Sequence, residues 1–223
     1  PLKRLRPWLP AVAGACAFAA FLPALNNGLV SWDDRAYLIE NTAYQGLDWN
    51  HLRVMLTTFL RGNYQPATWL SYALDFAVWG ARPFGFHLTN LLLHAANAAL
   101  FYAVGLELLR LASGGRDDFS RLELGAFFAA LLFAVHPLRV ESVAWATQRR
   151  DVLSAFFYLI TVLLYLRSRR LAVASYALCL LSKALGMTMP AVLLILDVYP
   201  LKRLPADPRR WLEQKHRAVL IEK

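Results

Sequence analysis

The fold of this chain is decided by a stretch that reads WLPAVAGACAFAAFLPAL over residues 8–25 and continues as NNGLVSWDDRAY over residues 26–37. The first part is apolar over a length that can cross a bilayer as a helix. The second part places two adjacent carboxylates, Asp33 and Asp34, a few residues beyond that helix. Neighbouring carboxylates repel each other and are costly near hydrocarbon. The pair therefore indicates a solvated loop in which it caps the next helix, a cationic partner, or a chemical role at the membrane surface.

The composition predicts an all-α, polytopic helical membrane protein. Hydrophobic residues make up 58% of the 223 residues, and apolar stretches recur at intervals. The net charge of +9 does not indicate nucleic-acid binding, because Lys and Arg fall in short runs between apolar segments. Cys16 and Cys179 lie inside apolar runs, which is typical of small buried side chains rather than of a disulfide or a metal pair.

The apolar runs predict about six membrane helices. They are placed at residues 8–25, 86–109, 122–135 and 152–166, with two more helices over 171–199. The last region is either one long tilted helix or a hairpin with Lys183 near the outer turn. The hairpin is preferred because it keeps the basic segment from Lys202 onward on the cytoplasmic side, with the positive N-terminus at Lys3 and Arg4. Residues 1–201 then form one membrane module, and residues 202–223 a basic cytoplasmic tail or the start of a further segment.

Residues 26–85 are predicted to form the first extracytoplasmic loop, with two helices lying at the membrane interface. One follows Asp48 as N-cap, where apolar residues recur at helical spacing from Trp49 to Leu60. The other runs from Pro66 to Trp79 and is closed by Gly80. Both are too short or too polar to span, and their Trp side chains suit the interface.

The second predicted span carries a polar face. His87, Asn90, His94 and Asn97 are separated by three, four and three residues, so they lie on one side of a helix. Such residues commonly make hydrogen bonds between membrane helices, which is the role expected for Asn97. His87 and Asn90, near the outer end, either share that role or line a polar cavity.

Several cations are predicted on the outer side, where positive charge is normally sparse. They are Arg139, Arg149, Arg150 and Lys183. Guanidinium groups suit a phosphate or pyrophosphate, and a Lys within an apolar run is costly unless it meets an anion or snorkels. Plain alternatives are pairing of Arg139 with Glu141, pairing of Arg149 with Asp151, and Asp151 as a helix cap. Since these cations outnumber Glu141 and Asp151, the surplus predicts an external anion.

Carboxylates that face such an anion site are typical of sugar transfer from a lipid-linked phosphate. One Asp takes the proton of the attacking hydroxyl, and the cations stabilise the departing phosphate. The lipid tail explains why the reaction would take place in a membrane protein.

Five motifs resemble the membrane portion of the transmembrane and tetratricopeptide-repeat O-mannosyltransferases and their bacterial relatives. In chain order they are NGLVSWDD at 27–34, YQPATWLSY at 64–72, GFHLTNLLLH at 85–94, HPLRVESVAW at 136–145 and Ser182-Lys183. The resemblance runs through nearly all of residues 26–200. It implies a glycosyltransferase fold of the GT-C type, a polyprenyl-phosphate sugar donor, and transfer on the extracytoplasmic or lumenal side.

The resemblance also implies roles for single residues. Asp33 takes the position of the family's catalytic base, with Asp34 as its neighbour, and Lys183 that of the lysine that helps to hold the donor phosphate. Ala184 departs from the Pro or Gly that often follows this lysine. Members also carry more membrane helices and tetratricopeptide repeats, so the chain is expected to correspond to an N-terminal membrane portion.

The leading hypothesis is a membrane glycosyltransferase that moves a hexose such as mannose from a polyprenyl phosphate to a protein hydroxyl. Its location would be a bacterial inner membrane or the endoplasmic reticulum. Catalysis is assigned to Asp33 and Asp34, without a metal or other cofactor; the alternative is a divalent metal held by Asp33 and Glu141. The donor-phosphate ligands are Arg149, Arg150, Lys183 and Arg139, and the secondary site residues are Glu141, His87, Asn90 and His136. The alternatives are a transporter or flippase for an anionic lipid or solute, and a non-enzymatic membrane anchor for a repeat-containing scaffold.

Overall fold

The computed structural model describes residues 6–114, 118–167, 169–211, 213 and 219. Within these residues the chain is helical and contains no β-strand, so the predicted all-α class is confirmed. Lys3 and Arg4, whose charge indicated a cytoplasmic N-terminus, lie outside the described residues, as does most of the predicted tail beyond residue 211.

The α-helices are numbered in chain order. They are α1 (Leu9–Phe21), α2 (Trp49–Thr57), α3 (Pro66–Trp79), α4 (Pro83–Ser113), α5 (Phe119–Val135), α6 (Val140–Ala144), α7 (Arg149–Arg167), α8 (Arg169–Ser182) and α9 (Met189–Val198). Short 3₁₀ segments continue or connect several of them. A π-helical turn, Arg35–Ile39, follows directly after the acidic pair.

Small residues bring α1, α4 and α5 close together. Ala13 and Ala17 of α1 share one buried cluster with Ala98 of α4 and Ala130 of α5. A Cβ added to Gly14 would lie 3.0 Å from the backbone oxygen of Ala95, so the two backbones meet too closely for a larger side chain. Close backbone approach over small residues is how helices associate where lipid replaces water as solvent.

In the part of the chain that the structure describes, two helical segments are long and apolar enough to cross a membrane: Leu9–Asn26, with 18 residues, and Pro83–Ser113, with 31. A third is obtained if Ser120–Val135 and Pro137–Ala144, which meet at an angle of 54°, are one broken span. These results support a membrane protein. The count of about six spans stays a prediction.

The region from residue 169 to 198 is interrupted at Lys183, whose backbone is extended between α8 and the 3₁₀ segment that precedes α9. α8 runs antiparallel to α7, with the Ser175 hydroxyl donating to the Phe157 carbonyl. α9 then returns along α7, where Tyr165 donates to Asp197 at 2.8 Å. The hairpin alternative is therefore the one that the structure shows.

The first loop contains both predicted helices. Asp48 caps α2 by accepting from the backbone N–H groups of Asn50 and His51, and α3 ends at Gly80, where φ is +63°. However, α2 ends at Thr57, so the predicted extension to Leu60 is wrong. Leu60 instead pairs with Asn63 across a turn, which breaks the helical spacing.

α3 has two unlike faces. Trp69 and Tyr72 are buried in an aromatic cluster together with Tyr37, Tyr44 and Phe86. The opposite face, formed by Leu70, Leu74 and Val78, is exposed. An apolar exposed face fits the predicted contact with lipid, while the buried face ties α3 to the rest of the fold. This helix is thus a packed element of the protein as well as a candidate interfacial one.

Four segments that are remote in sequence meet at one end of the bundle, which we call the site end. They are the loop at residues 27–37, the beginning of α4, the segment 136–151, and Lys183. The other end holds the pairs that Glu107 makes with Arg110 and Arg167, near the loops predicted to be cytoplasmic.

Candidate functional site

Arg149, at the first position of α7, is fully buried. Its guanidinium donates to the carboxylate of Asp75 at 2.6 Å and to the Phe86 carbonyl at 2.8 Å. It also donates to the Asn90 side chain and, at 3.3 Å, to the Ser71 hydroxyl. Because protein acceptors surround this cation on every side, a donor phosphate would have to displace them. The geometry gives Arg149 the role of a cross-link between α3, α4 and α7.

Asp34 is likewise buried, with 1% of its surface exposed. One carboxylate oxygen accepts from the Thr147 hydroxyl at 2.7 Å and from the Thr147 backbone N–H at 3.0 Å. The other accepts from the backbone N–H of Val30 at 2.9 Å. Hydrogen bonds to a carboxylate are stronger than neutral ones. The contacts fix the first loop against the segment that precedes α7.

Asp33 points to a more open environment. Its side chain is 37% exposed, and one oxygen lies 3.4 Å from a terminal nitrogen of Arg150. Arg150 also donates through Nε to the Gln148 side chain and stands over the Tyr37 ring at 5.8 Å. These hydrogen bonds use two of the five guanidinium N–H groups. Arg150 therefore keeps further N–H groups that can donate to an anion.

Lys183 forms an ion pair with Asp151, the residue next to Arg150. The Lys183 side chain is 33% exposed, and Asp151 also accepts from the Ser142 hydroxyl at 3.3 Å. Adjacent Cα atoms are about 3.8 Å apart. The pairs Asp33–Arg150 and Asp151–Lys183 are thus attached to consecutive residues of α7, and we call these four residues the charged cluster. The roles predicted for them in binding and catalysis stay predictions.

The predicted surplus of positive charge is wrong for three of the four cations. The count of carboxylates omitted Asp75, which lies within the predicted interfacial helix from Pro66 to Trp79. Arg149, Arg150 and Lys183 each have a carboxylate partner, namely Asp75, Asp33 and Asp151. The predicted pairing of Arg149 with Asp151 is replaced by these contacts. An anion at this site has to compete with carboxylates rather than fill an unbalanced charge.

The polar face of α4 is buried and joins helices. Asn97 donates to the Val152 carbonyl at 2.8 Å, and His94 lies 2.9 Å from the Ala134 carbonyl. Asn90 donates to the carbonyls of Val143 and Trp145. The interhelical role predicted for Asn97 is confirmed, and it extends to His94 and Asn90. His87 is 1% exposed and lies against the backbone of Asn27 and Gly28 in the first loop, so neither it nor Asn90 presents an open surface.

The remaining predicted site residues lie along the 136–145 segment. His136 accepts from the Leu138 N–H and begins a 3₁₀ turn. The Arg139 guanidinium stacks over the Phe133 ring at 4.6 Å, and in the described part of the chain it is not ion-paired with Glu141, contrary to the alternative considered. Glu141 is exposed on α6 and faces an open cleft.

That cleft, of about 830 Å³, lies between the 27–34 loop and α6. Its lining includes Asn27, Trp32, Asp34, Glu141 and Trp145. The Trp32 and Trp145 rings are tilted at 58° to each other, 6.0 Å apart. We call this space the tryptophan cleft.

Sequence reasoning missed two residues that organise this end, Asp75 and Thr147. A signal for Asp75 existed, because Thr68, Ser71 and Asp75 follow one another at three and four residues on the otherwise apolar α3. Nothing marked Thr147, since the partner of a hydroxyl 113 residues away is set by the tertiary fold.

Among the described residues no group of three or more His, Cys, Asp or Glu side chains has a metal-binding arrangement. The independence from metal stays a prediction.

The fold and the site together define an all-α membrane protein with a charged cluster at one end of its helices. No family model and no solved structure matches the chain. Curated proteins do match. Human protein O-mannosyl-transferase TMTC4 is 33% identical over 179 residues, which cover 73% of this chain and 23% of that protein. The Drosophila melanogaster protein O-mannosyl-transferase Tmtc1 is 34% identical over 161 residues, covering 69% of this chain and 17% of that protein.

Human protein O-mannosyl-transferase TMTC2 is 29% identical over 217 residues, covering 86% of this chain. The chain is therefore a relative of the transmembrane and tetratricopeptide-repeat O-mannosyltransferases, and the resemblance carried by its motifs is confirmed. It spans about a quarter of the length of the human relatives, 24% for TMTC2 and 23% for TMTC4.

Proposed function

We propose that this chain forms part of a membrane glycosyltransferase that moves a hexose from a polyprenyl phosphate to a hydroxyl of a protein acceptor. The observation that carries the proposal is the contact between Asp33 and Arg150, beside the Asp151–Lys183 pair. It places a partly exposed carboxylate and two cations in one cluster. The names of the relatives, protein O-mannosyl-transferases, support sugar transfer to protein.

In the proposed reaction the acceptor oxygen attacks the anomeric carbon of the donor sugar. The bond from that carbon to the phosphate oxygen breaks, and its electron pair leaves with the polyprenyl phosphate. Asp33 takes the proton from the acceptor hydroxyl, which makes the oxygen a better nucleophile. Arg150 and Lys183 donate hydrogen bonds to the departing phosphate, on which negative charge grows in the transition state.

The geometry supports different roles for Asp33 and Asp34. Asp34 is enclosed by Thr147 and Val30, so it is proposed as a positioning residue that holds the loop. Asp33 remains the candidate base, because it is the exposed member and contacts a cation. The donor-phosphate role likewise passes from Arg149, which is buried, to Arg150 and Lys183.

In the proposed mechanism Arg150 and Lys183 exchange their carboxylate partners for the donor phosphate, so the charged cluster has two states. Without donor, Arg150 and Lys183 neutralise Asp33 and Asp151. When a phosphate takes over both cations, Asp33 is released as a base. The polar face of α4, which a transporter would need as a path, is instead occupied by interhelical hydrogen bonds, and this favours the enzyme over the flippase.

The test is transfer of mannose from polyprenyl-phosphate mannose to a Ser- and Thr-containing peptide by the protein that carries this chain, in nanodiscs. Asp33→Asn should lower the rate about a hundredfold or more, because the amide cannot accept the proton. Glu40→Gln is the matched control, since it removes an exposed carboxylate of the same loop that pairs with Arg35. Full activity of Asp33→Asn would refute the base assignment. Flux of an intact lipid phosphate across liposomes without transfer would favour a transporter.

A further inference from the structure

The tryptophan cleft is not used by the charged cluster. Its lining does not include Asp33, Arg150 or Lys183, but both chain neighbours of Asp33, Trp32 and Asp34, belong to it. Its volume of about 830 Å³ lies within the range of roughly 300–1,000 Å³ found for small-molecule sites. A ligand in the cleft would thus be adjacent to the residue proposed as the base.

The chemistry of the walls excludes two kinds of ligand. Of the described residues that line the cleft, two are carboxylates and none is Lys or Arg, so a phosphate finds no cation there. A purely apolar lipid tail would cover Glu141 and Asn27 without giving them polar partners, which is costly for buried groups. The cleft instead suits a neutral molecule that carries many hydroxyl groups.

The two tryptophan rings of the cleft offer stacking surfaces for a sugar ring. The Trp32 side chain is 76% exposed and stands at the mouth of the cleft, tilted toward Trp145. The face of an indole carries partial negative charge, and the C–H groups of a sugar ring carry partial positive charge, so the two attract when stacked. Carboxylate and amide groups beside the ring can then pair with the hydroxyls at its edge.

One polar atom also points to a missing partner. The indole Nε1 of Trp145 is buried, and no acceptor in the described part of the chain receives its N–H. Buried tryptophan N–H groups usually find a hydrogen-bond partner. The Trp145 ring lines the cleft and is partly exposed, so a rotation of the indole would bring this N–H to a hydroxyl oxygen of a bound ligand.

We infer that the tryptophan cleft is a subsite for a neutral hexose ring, with Trp32 as stacking platform, Glu141 and Asn27 as hydroxyl partners, and Trp145 Nε1 as a donor. The inference rests on the proposed function in one respect: it identifies the bound ring with the sugar that is transferred. Binding of a sugar by these residues can be measured whether or not transfer occurs.

The probe is methyl α-D-mannopyranoside, titrated into the protein in nanodiscs and followed by saturation-transfer NMR and tryptophan fluorescence. Trp145→Phe keeps the ring but removes one N–H donor, and affinity should fall about three- to tenfold. Trp32→Ala removes the stacking surface, and Glu141→Gln the carboxylate; each should weaken binding by a similar or larger factor. Trp49→Phe, on the exposed side of α2, is the matched control and should bind as the unchanged protein does.

Inorganic pyrophosphate separates the two sites. Its binding should weaken in Arg150→Gln and remain the same in Trp145→Phe, whereas mannoside binding should show the reverse pattern. The inference would be overturned if Trp32→Ala, Trp145→Phe and Glu141→Gln each bound the mannoside as tightly as the unchanged protein does. It would also be overturned if these variants raised the KM for the acceptor peptide and left the KM for the donor unchanged, because the cleft would then be a peptide subsite.

The proposed function and the inference fail in different ways. If transfer is absent but mannoside binding depends on Trp145, the cleft binds sugar and the enzyme assignment is lost. If transfer proceeds and its donor KM does not respond to Trp32→Ala or Trp145→Phe, the enzyme assignment stands and the cleft is not the donor-sugar subsite.

Discussion

Arg149 and Arg150 are chain neighbours on α7, yet their environments are opposite. Arg149 is fully buried, with a close ion pair to Asp75 and further acceptors from α3 and α4. Arg150 is partly exposed, with a long contact of 3.4 Å to Asp33. Successive residues on a helix point about 100° apart, so one turns into the protein and the other toward the first loop. The comparison separates a cation that holds the fold from one that is available for chemistry.

The largest effect is expected from Asp75→Ala. Removal of this partner leaves the Arg149 charge buried and unpaired, which typically costs about 3–5 kcal/mol. The free energy of unfolding is measured by denaturant titration in detergent micelles. Asp33→Ala is the control, and it should change stability by less than about 1 kcal/mol because its ion pair is long and partly exposed. Equal losses in the two variants would remove the distinction between the two arginines.

Arg150→Gln should act on transfer rather than on stability. Loss of charge-assisted hydrogen bonds to the donor phosphate should lower kcat/KM about ten- to hundredfold, with stability nearly unchanged. The matched control is Arg167→Gln, which removes an exposed, ion-paired arginine at the opposite end of α7. A loss of activity in the control, or none in Arg150→Gln, would contradict the proposed donor site.

A smaller effect is expected where the first loop is fixed to the helices. Thr147→Val removes one hydrogen bond to Asp34 but leaves the backbone N–H bond in place, so the cost should be about 1 kcal/mol. Hydrogen exchange at Val30, whose N–H also bonds to Asp34, should accelerate. Thr57→Val, at the exposed end of α2, is the comparison, and an identical response there would show that Asp34 does not hold the loop.

The smallest effect concerns the cap of α2. A hydrogen bond from the His51 side chain, together with the His51 backbone N–H, lowers the pKa of Asp48 below its ordinary value. A lowered pKa in the folded state adds stability that is present above the unfolded value and is lost as pH falls through the folded one. Exchange of the Asn50 and His51 amides should therefore accelerate at acid pH. Asp48→Asn should flatten that pH response, and an unchanged response would argue against the cap.

Much of the fold was readable from local sequence. Periodicity and the residues Asp48, Pro66 and Gly80 placed α2 and α3, because capping and turn chemistry act over a few residues. The spacing of His87, Asn90, His94 and Asn97 gave a shared helix face, since helical geometry is fixed. The extension of α2 to Leu60 failed because the turn at Leu60 and Asn63 overrides the apolar spacing.

The site was only partly readable. The sequence predicted Asp33, Arg150 and Lys183 as site residues, and in the structure all three belong to the charged cluster. The sequence also suggested Arg149 as a phosphate ligand. That prediction failed because local sequence does not reveal that Asp75 faces Arg149 from another helix. The error in charge counting follows directly: a net surplus in one loop says nothing about carboxylates that other elements supply.

By itself, the sequence determined the helical membrane class, the family resemblance and the set of ionisable groups, because these follow from composition, apolar run length and short motifs. Only the tertiary structure decided which cation is buried, which member of the acidic pair is enclosed, and that two tryptophans 113 residues apart share a cleft. The physical reason is that burial and partner choice depend on how distant segments pack. That information is absent from any single stretch of the chain.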